Sequence, residues 1–335
     1  MTDENLTWAV VATVDEPPIL VAAFVAWHLS LGAAEVVLFF DRPDDPAADL
    51  MAQVPGVQVV RCDMAYWKAQ AGRRPDKHQI RQVSNARQAF ATCHADWLLH
   101  CDADEFIWAE QPVHERLASL QPQTQCGIVP VAERAFLQNP DLGSVFTGVF
   151  RRPFNGRPDI GRQLFGRGYA MTDRGLTGHS IGKSFLRKAA ALKPSIHRPK
   201  PLGGAEVPTE RVTGLTMLHF DGLTPLHWIY KILRKADAVA NKGGMPASRH
   251  RRRQIESVLE DVANAFAVHD RLKRLDTETL ENLKAHDLVL VTDFTPEPAL
   301  AFHFPDADKS LGQNAVDDWL WANKPTILRK FGLAP

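Results

Sequence analysis

Asp102, Asp104 and Glu105 follow directly on the apolar run Trp97-Leu-Leu-His-Cys and precede Phe106. Three carboxylates at the end of a buried strand oppose one another's ionisation, through desolvation and through mutual repulsion. A divalent cation with oxygen ligands resolves that conflict. Mg²⁺ or Mn²⁺ held by one or two carboxylates leaves its other positions to phosphate oxygens and water. A D-x-D spacing alone also arises in solvated acidic turns. Its place at the end of a fourth β/α unit gives it weight.

The elements that must position these residues show as two alternating periodicities. Trp8–Val14 (WAVVATV) is a short β-branched run suited to a strand buried on both faces. Pro17-Pro18 opens an apolar stretch that Gly32 closes, the pattern of a helix. Strands are expected at 35–41, 57–63, 97–106 and 127–136, and helices at 44–53, 77–94 and 113–120. Alternating elements of this kind imply a mostly parallel sheet flanked by helices, with ligands beyond the carboxyl ends of its strands. Those ends carry Thr13, Asp15, Glu16, Asp41, Asp63 and the acidic group 102–105. Residues 137–215, punctuated by Gly and Pro, read as loops and short strands over that edge. Helices are expected at 225–241 and 249–275, then a short appended segment with Trp319 and Trp321. The division expected is an α/β domain over 1–220 and a mainly helical extension over 221–335.

Composition excludes several classes. The 335 residues are 45% hydrophobic and 23% charged, with 39 Lys plus Arg against 39 Asp plus Glu, so the chain carries no net charge. Nucleic acid as the main partner normally demands a basic surface. The dispersed Pro and Gly exclude disorder as the dominant state. Cys62, Cys93, Cys101 and Cys126 form no CxxC pair and no disulfide framework. The first residues are acidic where a signal peptide is basic. The apolar stretch 19–31 contains His28 and falls short of the ~20 residues that span a bilayer. A cytoplasmic protein with reduced thiols is expected.

Taken in order, the motifs resemble those of GT-A glycosyltransferases, in the family 2-like and family 92-like group marked by D-x-D-E-F. Val14-Asp-Glu-Pro-Pro-Ile-Leu is similar to that group's "KNE…yl" opening, and Ala26-Trp-His-Leu-Ser-Leu-Gly32 to its "eWi.yH..lG" helix. Phe39-Phe-Asp41-Arg-Pro-Asp-Asp-Pro resembles "iydn.S.D". Arg81-Gln82, Asn85 and Trp97 through Ile107 resemble "Q…n…Wl…DvDEFi". Gly182-Lys183-Ser-Phe-Leu-Arg187 with His197 resembles "GK.i.r…vH", and His219-Phe220 with Lys231 resembles "HY…K". The likeness covers about residues 8–235. Val14 and Asp15 depart from the usual Lys and Asn, and the segment after Pro130 lacks the group's "W..FG" pattern.

The resemblance implies a GT-A-like fold, a nucleotide-diphosphate sugar as donor, a saccharide or lipid-linked saccharide as acceptor, and Mn²⁺ or Mg²⁺ as cofactor. Charge developing on the departing phosphate must be neutralised. On this reading Asp104 is the direct metal ligand and Asp102 reaches the metal or the ribose. Glu105 orients a ligand, and His219 and His197 are further candidates for the metal. Lys183 and Lys231 would meet phosphate as point charges. Thr13, Glu16 and Asp41 sit at the first two strand ends, where carboxylates can accept from a base or ribose; Asp41 could instead cap the next helix. Asn85 and Arg87 lie two apart on one helix, so only one of them is expected to face the site. The group's chemistry is inverting, with a carboxylate as base. Asp173 and Asp221 are candidates by position, with Glu133 behind them. Surface polysaccharide assembly is the setting suggested by analogy.

Rival readings remain. Gly178–Ser184 imitates a phosphate-binding loop but has three residues between its glycines where four are needed, and no GxGxxG follows the first strand. The basic run 248–253 reads as a solvated helix start, or as a peripheral membrane contact with anionic lipid. A metal-dependent phosphohydrolase would use the D-x-D as nucleophile and acid, but after its first strand. A non-catalytic nucleotide-sugar binding protein would keep the acids and need no base.

Overall fold

A computed structural model of the chain describes residues 6–138, 143–204, 206–241, 247–305 and 311–335. The acidic residues 1–5, read above against a signal peptide, lie outside them. The chain divides into two compact units, each built of several chain segments. The first comprises Met1–Pro130, Ile181–Met217 and Thr295–Lys309; the second comprises Val131–Ser180, Leu218–Phe294 and Ser310–Pro335. Both units mix strands with helices. Among the described residues no helix is long and apolar enough to cross a membrane.

The first unit begins β1 (Trp8–Val14), α1 (Pro18–Ser30), β2 (Glu35–Phe40), α2 (Ala47–Met51), β3 (Val57–Arg61), α3 (Met64–Ala71), α4 (His78–Thr92) and β4 (Trp97–His100). All of β1 is buried, as its continuous apolar run requires. Pro18 starts α1 with φ already helical, and Gly32, at φ +89°, ends the turn after it. The four strands are parallel in the order β3-β2-β1-β4, so the chain winds outward from β1 in both directions. Beyond β4 the sheet turns antiparallel through strand Lys183–Arg187 and strand Cys126–Val129. Ala9, Val11, Val37, Phe39 and Leu98 share one face of the sheet and pack on Trp67 of α3 and on Ala86 and Ala89 of α4. Period-two alternation sends Trp8 to the opposite face, where its ring meets His28 of α1.

Several expected elements are shorter or broken. Strand 97–106 is two strands, β4 and Glu105–Ala109, so Asp102 and Asp104 lie in a turn between strands rather than on one strand's tail, and Glu105 opens the second strand. Pro130 divides 127–136 into Cys126–Val129 and Val131–Leu137, because it cannot donate to a ladder. Helix 249–275 breaks at Asp261, whose extended backbone (φ −152°) separates Arg249–Glu260 from Ala265–Lys273. Helix α3 was not expected; Asp63 caps it by accepting the Tyr66 N–H. Residues 137–215 hold helix Pro158–Phe165 and the sheet strand Lys183–Arg187 besides loops.

In the second unit, strand Val131–Leu137 pairs antiparallel with Val149–Arg151, which pairs in turn with Val289–Leu290. Helix Pro225–Asn241 contributes Trp228, Ile229, Ile232 and Leu233 to a core completed by Val258, Val268 and Leu272 of the next two helices. Arg134 is fully buried, and among the described residues no carboxylate is hydrogen-bonded to it. Its guanidinium donates to the carbonyls of Val145, Gly222 and Leu223 and lies 3.9 Å from the Phe136 ring centroid. Burial lowers its pKa to about 9.

Buried histidines set an acid limit on the fold. His28 donates from Nδ1 to the carbonyl of Phe24, and its Nε2 has no hydrogen-bond partner among the described residues. Burial pushes its pKa down to about 4, and does the same to His100 and His269. Between pH 6.5 and 4 the unfolded chain takes up protons that these folded side chains refuse, so stability falls as pH falls through that window. Replacing His28→Leu should flatten the decline by on the order of 3 kcal/mol, read from urea unfolding at a series of pH values. An unchanged slope would show that His28 protonates without cost in the folded chain.

Candidate active site at the strand ends

Strand order places β1 between β2 and β4, so the chain departs from β1 to opposite sides. In open α/β sheets the crevice for a ligand forms at that switch, beyond the carboxyl ends. Asp102 follows the end of β4 by two residues, in a turn that Glu105 closes twice over. The Glu105 N–H donates to the Asp102 carbonyl at 3.0 Å, and its carboxylate accepts the Asp102 N–H at 2.8 Å. Lys183 Nζ lies 2.9 Å from both Asp102 Oδ2 and Glu105 Oε2. Lys183 and Glu105 are wholly buried, whereas the Asp102 side chain is 34% exposed. Gln82 donates to Asp102 Oδ1 at 2.5 Å. Burial alone would depress the Lys183 pKa; the charges of Asp102 and Glu105 outweigh it and raise it.

Part of the cation that the three-acid spacing calls for is therefore the protein's own. Glu105 locks the turn and pairs with Lys183. Counting these four groups alone, one ammonium against three carboxylates leaves two negative charges in excess, with Asp104 buried beside them. A divalent cation matches that excess, and the oxygen donors suit Mg²⁺ or Mn²⁺.

The neighbouring strand ends are polar and tightly bonded. Asp41, just past β2, takes a two-pronged contact from Arg81 (2.7 and 2.6 Å) and a third bond from Arg74 at 3.0 Å. Burial would raise the Asp41 pKa, but hydrogen bonds from His78 and Arg81 with the charge of Arg81 hold it far below the usual range. Asp41 thus anchors the start of α4 through its side chain, and no cap bond from it to α2 is formed. Thr13 is buried at the end of β1, and its Oγ1 accepts from Asn85 Nδ2 at 2.9 Å; Asn85 Oδ1 accepts from the Tyr66 hydroxyl. Arg87 is exposed and reaches the Pro194 carbonyl. Glu16 is half-buried and accepts the Asp15 N–H. His197 is half-buried, and its carbonyl accepts from Ser184.

The remaining candidates belong to the second unit. Asp173 is half-buried and accepts the Ser180 N–H at 2.7 Å. Asp221 is buried against Arg251 at 3.1 Å and Lys231 at 3.3 Å. Burial would raise its pKa, but the charges of Arg251, Lys231 and Lys273 drive it well below the ordinary value. Glu133, fully buried, accepts the N–H groups of Thr177 and Gly178, each at 2.6 Å, and lies 3.6 Å from His219 Nδ1. That saturation leaves it little capacity as a base. The His219 ring stacks on His179, their centroids 5.1 Å apart. Gly178 permits this approach: a Cβ there would stand 2.5 Å from His219 Cε1.

Gln82, Arg81, Tyr66 and Arg251 are the residues that the spacing argument passed over. The signal for two of them was present. On α4, Arg81, Gln82 and Asn85 occupy the same buried stripe as Ala86 and Ala89, and polar groups on a buried face need partners. Replacing Lys183→Met should destabilise the chain by about 3–5 kcal/mol, since it leaves a buried carboxylate uncompensated. Adding Glu105→Gln should recover part of that loss in the same denaturant titration; no loss in the single variant would show the pair to be inessential.

No family model matches the sequence, and no curated protein matches it. Among solved structures, TarS from S. aureus is similar over 78% of this chain and 44% of its own, at 10% identity and a TM-score of 0.32. HddC from Yersinia pseudotuberculosis is similar over 39% of this chain and 60% of its own, at 10% identity and a TM-score of 0.28. The chain thus spans less than two thirds of either. At these scores neither likeness carries an assignment.

Proposed function

We propose that the chain is a metal-dependent glycosyltransferase, moving a sugar from a nucleotide diphosphate to a saccharide or lipid-linked saccharide with inversion. One observation carries this reading: an acidic turn with two negative charges in excess of its lysine, at the point where the winding of a parallel sheet reverses. The motif resemblance over residues 8–235 supplies the reaction class. Asp104 and the part-buried Asp102 would hold Mn²⁺ or Mg²⁺, which when bound neutralises charge on the departing diphosphate. Lys183 and Gln82 fix the two oxygens of Asp102. Thr13, Glu16 and, of the helical pair Asn85 and Arg87, the buried Asn85 are proposed for the nucleoside side of the donor, together with Asp41 acting through the arginines it orients. His197, His219 and Lys231 are proposed as further ligands of metal or phosphate.

For the base, Asp173 suits better than Asp221. Two cations hold Asp221 ionised and lower its affinity for a proton, while the Asp173 carboxylate accepts one hydrogen bond among the described residues. Assembly of a surface polysaccharide, with peripheral contact to a membrane that carries the acceptor, is the proposed setting.

The reading is tested by thermal shift with nucleoside diphosphates and their sugars, with and without Mn²⁺. A native-state ligand raises the unfolding midpoint, and the rise should need nucleotide and metal together. Asp104→Ala should remove both that response and manganese-dependent sugar transfer while leaving the ligand-free midpoint unchanged. Full transfer by this variant, or a wild-type protein indifferent to every nucleotide, would sink the assignment. Release of phosphate from simple monoesters would favour a phosphohydrolase instead.

A further inference from the structure

The hairpin that carries Asp173 is mounted on one face of one helix. Asp173 and Leu176 exchange both backbone hydrogen bonds, 2.8 Å from the Asp173 N–H and 3.1 Å from the Leu176 N–H. Arg174 and Gly175 between them have φ of +55° and +91°, the positive angles that a tight two-residue hairpin turn needs. Glycine is required at 175 for a second reason, because a Cβ there would stand 2.4 Å from the Phe165 ring. The Asp173 backbone is thereby fixed. Its carboxylate accepts the Ser180 N–H through Oδ2, and Oδ1 has no hydrogen bond among the described residues.

The turn is held by helix Arg249–Glu260. His250 Nε2 donates to the Gly178 carbonyl at 2.7 Å and Arg253 Nη1 to the Ala170 carbonyl at 2.8 Å. Gln254 Nε2 donates to two carbonyls, Met171 at 2.7 Å and Thr177 at 3.0 Å. Positions 250, 253 and 254 are three and four apart, so these donors share one helix face. Their acceptors flank residues 172–176 evenly, two before the turn and two after it. Gln254 reaches both limbs with a single amide nitrogen, and of the three donors it is the fully buried one. Its Oε1 is buried with no hydrogen bond among the described residues, a cost that an apolar side chain of the same shape avoids. We propose that Gln254 is a positioning residue for Asp173: its amide clasps the two limbs of the hairpin and so sets where Oδ1 of the base points. The assignment rests on Asp173 being the base of the transfer reaction. In that step the acceptor oxygen bonds to the anomeric carbon as the bond from that carbon to the diphosphate oxygen breaks, and the acceptor's proton passes to Asp173 Oδ1. Misplacing a base by ~1 Å costs on the order of a hundredfold in rate and leaves donor binding untouched.

The test measures kcat and KM of the full chain for manganese-dependent hydrolysis of UDP-glucose, GDP-mannose and dTDP-glucose, with water in the acceptor's place. Gln254→Met keeps the length of the side chain and removes both donors. It should lower kcat by roughly tenfold or more and leave KM within about twofold. Val258→Ala loosens the core under the same helix without touching a hairpin bond, and should leave both constants nearly unchanged. Unchanged kcat in Gln254→Met, or an equal fall in Val258→Ala, overturns the assignment. Hydrogen exchange on the wild-type chain covers the case in which Gln254→Met fails to fold: the Asp173 and Leu176 amides should be as protected as those of helix Arg249–Glu260, and exchange at the rate of an open loop overturns a clasped hairpin. Asp173→Asn separates the two readings. Full kcat in Asp173→Asn, or a wild-type chain that hydrolyses none of the three donors, removes the base and the role of Gln254 with it. Loss in Asp173→Asn beside full kcat in Gln254→Met removes the positioning role alone.

Discussion

A single ammonium group, that of Lys183, fixes the acidic turn after β4. It is out of contact with solvent, so its charge must be met within the protein, and the two oxygens that meet it belong to residues at the two ends of the turn. Desolvating a lysine and a glutamate together is unfavourable unless their geometry and hydrogen bonds are good. Here Glu105 also bonds both backbone groups that close the turn, so ion pair and turn support one another. The part-buried carboxylate of Asp102 is left with its position fixed. A site that must hold a charged ligand gains from such prior fixation, because less ordering remains for the moment of binding.

How far this was legible in the sequence depends on the kind of signal. β1 and β2 stood out because buried parallel strands are continuous apolar runs, and alternation with helices implied a mostly parallel sheet. The acidic turn was legible as chemistry but misplaced as geometry. Trp97 through Phe106 reads as one run, and nothing in residue type alone says that a turn separates His100 from Glu105. The counter-ion was hidden for a different reason. Lys183 lies 81 positions from Asp102, on an antiparallel strand, and a lone lysine in a sequence looks like a surface residue.

The second unit shows the same limit more strongly. Glu133, Arg151, Thr177, Asp221 and Lys273 come from five separate stretches, so no local pattern joins them. Arg134 was invisible as a core residue, since its partners are carbonyls and aromatic faces, which any sequence supplies. Periodicity also overran Asp261, because residues on either side of it carry a helical pattern and the break is a matter of backbone angle.

Gly182 adds a consequence for the lysine that follows it. A methyl group there would sit 1.8 Å from the Val129 carbonyl oxygen, so main chain touches main chain at the point where the strand enters the sheet. The depth to which the next side chain is inserted is therefore registered by peptide against peptide. Repacking of apolar neighbours, by drift or by design, has no lever on it, and that one position admits no lineage or library member bearing a β-carbon unless the sheet edge itself is rebuilt.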